Sequence, residues 1–313
     1  MKHFVTGGAG FIGSHVVDRL LNGKDDFVTV YDNLSSGKEE FIAHHNGNKN
    51  FKFVKGDLLD PKALGEAIKG HDMVHHLAAN PDIRLGTANP DMDLKQGTVA
   101  TFNLLEAMRL NGLKKLAFSS SSVVYGEATK IPTPEDYGPL VPISLYAAAK
   151  LGAEGLITAY CSTFEMQAWI FRFANVIGAR STHGVIFDFV NKLRKNPNEL
   201  EILGNGQQRK AYLLVDDCVD AMFYIVGHAN DPVNIYNLGC EDQVQVTRIA
   251  EIIRDEMGLK DAKFRFTGGE RGWKGDVRAM LLSIDKLKKL GWKPNTTSDG
   301  AVKVAVKLAV GKA

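Results

Sequence analysis

Lys2-His3-Phe4-Val5-Thr6-Gly7-Gly8-Ala9-Gly10-Phe11-Ile12-Gly13, followed through to Asp32, is the stretch whose reading decides the fold. A short apolar run reads as a strand and breaks into glycines at 7, 8, 10 and 13. Phe11, Ile12, Val16, Val17, Leu20 and Leu21 then recur at helical spacing, and Phe27-Val28-Thr29-Val30-Tyr31 reads as a second strand ending at Asp32. This is a β-α-β unit with its glycines at the first turn. Gly7 lets the chain turn sharply out of the strand. Gly10 offers a pyrophosphate a backbone without Cβ, and Gly13 lets the helix pack close to the sheet. The helix start then presents N–H groups and the positive end of its dipole to phosphates. Asp32 lies nineteen residues past Gly13. A carboxylate there accepts from both ribose hydroxyls and repels a 2′-phosphate, so the expected cofactor is NAD rather than NADP.

Working outward, Asn33-Leu34-Ser35-Ser36-Gly37-Lys38 is a loop placed to wrap the adenosine ribose. Phe51-Lys52-Phe53-Val54 alternates as a third strand and leads to Gly56-Asp57-Leu58-Leu59-Asp60, where Asp57 is placed to accept from an adenine amino group. Asp60 and Pro61 read as the cap and first residue of the next helix. Residues 72–79 read as a fourth, buried strand whose small end residues, Ala78 and Ala79, leave room for a ligand. A long helix is expected over 89–110, a fifth strand over 115–118 running into Ser119-Ser120-Ser121-Ser122, a second long helix over 144–160 and a sixth strand over 168–173. Strand and helix alternate throughout, which argues for a doubly wound parallel sheet.

From about Asn175 the rhythm changes. Helices are expected over 187–195, 215–227 and 246–257, the last capped by Thr247, with strands over 200–203 and 234–239. The expected organisation is α/β: a dinucleotide-binding domain over 1–174 and a smaller α/β lobe over 175–313, with segments near 207–240 returning to the main sheet.

The chain's 38 basic and 36 acidic residues leave a net charge of +2, which gives no electrostatic footprint for nucleic acid. No apolar run approaches the roughly 20 residues that span a bilayer. The first strand begins at residue 2, so no signal peptide is expected. The three cysteines, Cys161, Cys218 and Cys240, form no CxxC pair. A cytoplasmic protein is expected. His75 and His76 end a buried strand with no third ligand at sensible spacing, so they read as packed, and no metal is expected.

Tyr146 and Lys150 are four apart and share one helix face, 25 residues or more beyond Ser121. A phenol ordinarily ionises near pH 10. A lysine ammonium one turn away, with the positive charge of a nicotinamide, would favour the phenolate. Tyr146 would then take a proton from a substrate hydroxyl, Ser121 would share that proton or hold the substrate oxygen, and Lys150 would reach the nicotinamide ribose.

Thr6–Gly13, Asp32-Asn33-Leu34, Gly56-Asp57-Leu58, His76–Ala79, Ser119–Gly126 and Tyr146-Ala147-Ala148-Ala149-Lys150 together resemble the extended short-chain dehydrogenase/reductases over essentially the whole chain. Within them the resemblance points to UDP-sugar epimerases, above all those acting at C4 of UDP-galactose and UDP-glucose. It implies a Rossmann domain in which Tyr146 removes the 4-hydroxyl proton while the C4 hydride passes to NAD. The 4-keto sugar then turns about its pyrophosphate and the hydride returns to the other face. Ser121 matches the catalytic serine, four residues before Tyr125. Gly7, Gly10, Phe11, Ile12 and Gly13 are the expected cofactor contacts at the turn, with Asp32, Asn33, Ser35, Ser36 and Gly37 around the ribose. Asp57, Leu58, Leu77, Ala78, Ala79 and Phe173 complete the cofactor set with Tyr146 and Lys150.

For the nucleotide sugar, Ser121, Ser122 and Tyr146 are expected at the hexose. Asn175, in Phe171-Arg172-Phe173-Ala174-Asn175, matches the diphosphate-contacting asparagine. Gly204-Asn205-Gly206-Gln207-Gln208-Arg209-Lys210-Ala211-Tyr212 resembles the segment that places an arginine on the diphosphate, yet Lys210 holds that position, with Arg209 beside it. Lysine neutralises phosphate but cannot clasp it bidentately. Arg271-Gly272-Trp273-Lys274-Gly275-Asp276 resembles an Arg-Pro-Gly-Asp segment, giving Asp276 a nucleotide ribose and Arg271 the diphosphate. Gly97 stands where relatives carry asparagine, and Met280 where the size of the C2 substituent is gated.

The alternatives are UDP-glucuronate or UDP-N-acetylhexosamine 4-epimerization, 4,6-dehydration, decarboxylation, and a non-catalytic NAD-binding protein. Dehydration and decarboxylation need an acid just after the serine, where Ser122 and Val123 stand here. Two apolar long helices, near 89–110 and 144–160, imply a homodimer by the same resemblance.

Overall fold

The computed structural model describes residues 1–23, 25–81, 86, 88–269 and 279–311. Its strands in chain order are β1 (Lys2–Thr6), β2 (Phe27–Asp32), β3 (Phe51–Lys55), β4 (Met73–His76), β5 (Lys115–Ser121), β6 (Gln167–Phe173), β7 (Asn175–Ile177), β8 (Glu199–Ile202), β9 (Arg209–Lys210), β10 (Tyr212–Leu214), β11 (Val233–Leu238), β12 (Val244–Gln245), β13 (Lys263–Phe266) and β14 (Ala279–Met280). Seven form one parallel sheet in the order β11-β6-β5-β4-β1-β2-β3, flanked by helices: a Rossmann-like fold.

The strand order reverses at β1, which lies between β2 and β4. Ligands of such sheets bind beyond the carboxyl ends of the strands at this switch point. The register there sets Thr6 beside both Tyr31 and His76, so Gly7 and Leu77 leave the sheet side by side. Gly7 N–H donates to Tyr31 O (3.1 Å) and Leu77 N–H to Thr6 O (3.1 Å).

The chain forms two compact units that interleave in sequence. One comprises Met1–Val124, Ser144–Arg172 and Met222–Tyr236; the other comprises Tyr125–Ile143, Phe173–Ala221 and Asn237–Ala313. The first is built on Phe4, Tyr31, Leu64, Leu104, Met108, Phe118 and Ile170, all buried. Removing one such aromatic side chain costs about 3–5 kcal/mol through lost burial and the cavity left behind. The second has its own core, where Phe189, Leu193, Leu200, Ile202, Ile249, Ile253, Val302 and Val306 pack together. Its Tyr125–Ile143 loop is tied down at Asn237, whose side chain accepts from Tyr125 Oη (2.7 Å) and donates to Thr133 O (3.0 Å) and Ser283 O (3.0 Å).

Local chemistry explains most element boundaries. Asp60 Oδ1 accepts from Lys62 N (3.1 Å) and Ala63 N (3.0 Å), capping the Pro61–Ala67 helix as expected. Ser144 caps the Leu145–Phe164 helix by accepting from Ala147 N (3.2 Å). Thr247 does not cap the Val246–Glu256 helix. Its hydroxyl donates to Gly206 O (2.8 Å), and Gln245 holds the cap position.

The expected 89–110 helix runs continuously over 90–110 but is not α throughout. Pro90–Asp93 and Ala100–Leu110 are α-helical, but Leu94–Val99 is a π-turn. At its centre, a Cβ on Gly97 would lie 2.8 Å from the Ala149 Cβ. Thr98 Oγ1 donates to Ala149 O (3.2 Å), and Thr101 Oγ1 to Gly97 O (2.6 Å). Glycine at 97 is thus the close approach of two helices. The widened turn lets one lie against the other just where Tyr146 and Lys150 project. The Asp285–Leu290 helix buries Leu287 between lysines that face water, and the Ser298–Val310 helix closes the second core.

Candidate active site

At the first turn, Gly7 has φ +70°, and a Cβ there would lie 2.6 Å from Ala78 N. A Cβ on Gly13 would lie 2.0 Å from Gly7 O. Both glycines are therefore forced by backbone against backbone. The Phe11–Leu21 helix starts at Gly10 with no side-chain cap, so no side chain competes for its first amides.

Asp32 sits at the carboxyl end of β2, nearly buried. Its Oδ2 accepts from Ala9 N (3.0 Å) and its Oδ1 from Leu34 N (2.8 Å). Burial pushes its carboxyl pKa up, while the two amides pull it back down. Each carboxylate oxygen keeps a second lone pair for a ribose hydroxyl. The adjoining loop is moored to the turn: Lys38 N donates to Ala9 O (2.9 Å), and a Cβ on Gly37 would meet both Asp32 oxygens at 3.0 Å. Asn33 Nδ2 donates to Asp57 Oδ2 (3.1 Å) and Leu59 N to Asp57 Oδ1 (2.8 Å), with Leu58 buried between them; Ser35 N donates to Asn33 Oδ1 (2.9 Å). Uncapped amides, glycines that no side chain could replace, and an ordered carboxylate together fit the pyrophosphate and adenosine ribose of NAD.

Lys150 is buried. Its Nζ donates to Ser119 O (2.6 Å) at the carboxyl end of β5 and lies 4.8 Å from the Phe118 ring centre and 5.8 Å from that of Tyr146. Burial lowers its pKa to about 8, against the opposing pull of Glu154. Glu154, one turn further on, is itself buried, accepting from Ser120 Oγ (2.5 Å) and pairing with Arg172 (2.7 Å). That network pins the helix to β5 and β6. Ser121 ends β5, and its Oγ accepts from Val123 N (3.4 Å). Ser122 comes next, nearly buried, in a short 3₁₀ turn.

Without a cofactor, Lys150 alone does not offset what burial does to the phenol of Tyr146. Burial pushes the Tyr146 pKa well above its ordinary value, and the charge of Asp93 pushes it further. Asp93 is the group that sequence reasoning missed. It is buried, accepts from Asn80 Nδ2 (3.0 Å), and its other oxygen has no partner among the described residues. The only sequence signal is its place one turn before Gly97, on the helix that packs against the Tyr146 helix.

In the second unit, Phe173 is buried at the end of β6. Asn175 begins β7, pairs with Tyr212 of β10 and donates its Nδ2 to Ala211 O (3.1 Å). Lys210 on β9 faces Val244 of β12 on one side and Met280 of β14 on the other. The expected diphosphate cation and the expected sugar gate are therefore neighbours. Arg209, adjacent in a two-residue strand, points the opposite way and lines a separate cleft with Gln245, Thr247, Arg248, Glu251 and Asp299. Arg209 and Lys210 are thus not brought together. Arg271 and Asp276 lie outside the described residues.

The geometry defines a dinucleotide-binding unit with a tyrosine–lysine pair at the open end of its sheet. Residues 3–239 match the NAD dependent epimerase/dehydratase family. A putative UDP-glucose 4-epimerase of Methanocaldococcus jannaschii is 34% identical over 96% of both chains. The UDP-glucuronic acid decarboxylase 4 of Arabidopsis thaliana is 31% identical, over 98% of this chain and 68% of its own. A crystal structure of a UDP-galactose 4-epimerase superposes with a TM-score of 0.89 at 42% identity, covering 100% of this chain and 99% of that one. The chain belongs to the NAD-dependent epimerase/dehydratase family, the extended short-chain dehydrogenase/reductases, and is an enzyme of that family.

Proposed function

We propose that this protein is a nucleotide-sugar 4-epimerase that interconverts UDP-glucose and UDP-galactose. The observation that carries the reading is the Tyr146–Lys150 pair, held on one helix face with Lys150 anchored at the end of β5. Gly7, Gly10 and Gly13 with the first amides of the Phe11–Leu21 helix hold the cofactor pyrophosphate, and Asp32 holds the adenosine ribose. NAD, when bound, supplies a reversible hydride acceptor for the sugar C4 and a positive charge beside Tyr146.

The chain's own part is proton handling and positioning. Ser121 Oγ holds the sugar 4-oxygen, and Tyr146 Oη takes the 4-hydroxyl proton and later returns it. Lys150, fixed by Ser119 O, keeps two of its three N–H donors for a ribose hydroxyl and the phenol. The raised pKa of Tyr146 means that the chain alone does not make a base of it; the positive charge that favours phenolate comes with the cofactor. In the second unit, Asn175 and Lys210 hold the diphosphate, and Met280 beside Lys210 borders the sugar. Arg271 and Asp276 complete the nucleotide site in this reading.

Decarboxylation is the second reading, favoured by the Arabidopsis relative. Ser122 and Val123 after Ser121 offer no acid and count against it. A homodimer is part of the proposal, since Leu94, Val99, Phe102, Leu110 and Leu145 are apolar and exposed on the two long helical segments. Among the described residues no helix is long and apolar enough to cross a membrane.

The test is to incubate the protein with UDP-galactose and, separately, with UDP-glucuronate, and to separate products by chromatography. UDP-glucose with no net NADH supports the reading. A 4-keto-6-deoxy sugar, a pentose from UDP-glucuronate, or unchanged substrate overturns it.

A further inference from the structure

The chain has two His-His pairs, and they meet opposite fates. His75-His76 is buried in β4. His76 Nδ1 contacts Thr6 Oγ1 (2.7 Å) and its Nε2 contacts Thr101 Oγ1 (3.0 Å), and burial drives both imidazole pKa values down to about 3. His44-His45 lies at the surface in a 3₁₀ turn anchored by buried Ile42 and by the tilted packing of His45 against Phe51, ring centres 5.5 Å apart. Both of its rings converge on one carboxylate oxygen. His44 Nε2 lies 2.8 Å and His45 Nε2 2.7 Å from Asp18 Oδ1, with the ring centres 4.0 Å apart. The three ligand atoms all fall within 4.8 Å of one another.

We propose that Asp18, His44 and His45 form a binding site for a divalent transition-metal ion of the zinc class. Two imidazoles and one carboxylate are the donor set that Zn²⁺, Co²⁺ and Ni²⁺ prefer; a single carboxylate is too few hard oxygens for Ca²⁺ or Mg²⁺. Tetrahedral zinc with bonds of about 2.0–2.1 Å sets its ligand atoms about 3.3 Å apart, so each histidine–aspartate separation needs to open by only about half an ångström. Each imidazole binds through Nε2 by moving its proton to Nδ1, and the remaining coordination position faces water. Side-chain exposures of 48% for His44, 12% for His45 and 25% for Asp18 give an ion a route in.

The ion would act as a clip. Asp18 is on the Phe11–Leu21 helix, and His44-His45 ends the segment that begins with the Asp32 loop. Metal would tie the far end of that loop to the helix, complementing the Lys38–Ala9 hydrogen bond at its near end. The binding site itself does not depend on the proposed reaction, and its test reads metal directly.

Tag-free protein stripped with a chelator is titrated with Zn²⁺ at neutral pH by calorimetry, and with Co²⁺ by visible absorption. One ion per chain at micromolar or tighter affinity is expected, with a raised unfolding temperature. His45→Ala and Asp18→Asn should each weaken binding by about tenfold or more, while His228→Ala, at an exposed histidine elsewhere, should not. No stoichiometric binding, or equal affinity in the Asp18 and His45 variants with native circular dichroism, overturns the proposal.

Discussion

Two glycine-rich turns, Gly7–Gly13 in the first unit and Gly204–Gly206 in the second, look alike as sequence and differ as chemistry. In the first, Gly7 and Gly13 are closed in by backbone, and the helix beyond them has no side-chain cap. In the second, the polar groups are already spent. Gly204 N donates to Thr267 Oγ1 (2.9 Å), Gly204 O accepts from Gly268 N (3.0 Å), and Gly206 O accepts from both the amide (3.1 Å) and the hydroxyl (2.8 Å) of Thr247. The difference lies beyond the first turn, where a helix begins with no side-chain cap and offers its first amides to a phosphate, whereas the second turn is tied within its own unit and leads into β9 with Lys210.

Substitutions should separate the two turns. Gly13→Ala drives a Cβ into Gly7 O and is expected to abolish NAD retention, read as nucleotide released on denaturing the purified protein. Wild-type NAD content in that variant would remove the first turn from the cofactor site. Acid should also strike the first turn's unit selectively, because His75 and His76 lie beneath it as neutral rings. Their pKa values of about 3 are far below the ordinary 6.5, so the unfolded chain binds more protons between these values and stability is lost as pH falls through 6.5. At pH 5 that is about 2 kcal/mol for each histidine, measurable by urea unfolding at pH 7 and pH 5. A pH-independent midpoint would contradict the buried, neutral rings.

Smaller effects belong to the second turn. Lys210→Ala is expected to raise the KM for UDP-galactose about tenfold, the scale of one charged phosphate contact of about 1.5 kcal/mol, while Arg209→Ala leaves it nearly unchanged. Equal effects would mean that both cations reach the substrate. Gly206→Ala, at φ +74°, meets only the Phe266 and Thr247 side chains. It should cost about 1–2 kcal/mol of stability and leave NAD content intact.

Legibility in the sequence divides along the same line. Strands β1 to β6 announce themselves by apolar runs bounded by glycine, proline and capping residues, and the spacing of Gly7, Gly13, Asp32, Tyr146 and Lys150 places the candidate site before any coordinates. The second unit is harder to read because β9, β12 and β14 are two residues long and exist only through distant partners. The π-turn at 94–99 has its cause at Ala149, some fifty residues away. The pKa of Tyr146 is hidden from the sequence for the same reason. A spacing of four shows that Lys150 is near, but only the fold shows its ammonium turned to Ser119 O and Asp93 acting on the phenol.

Tyr146 as the proton acceptor beside bound cofactor is the claim on which the proposed reaction stands. The most direct measurement is NAD content together with UDP-galactose turnover in Tyr146→Phe. Wild-type NAD content with turnover reduced about 10²-fold or more, the size of a general-base contribution, is the predicted result. Turnover near the wild-type rate with NAD still bound would contradict it.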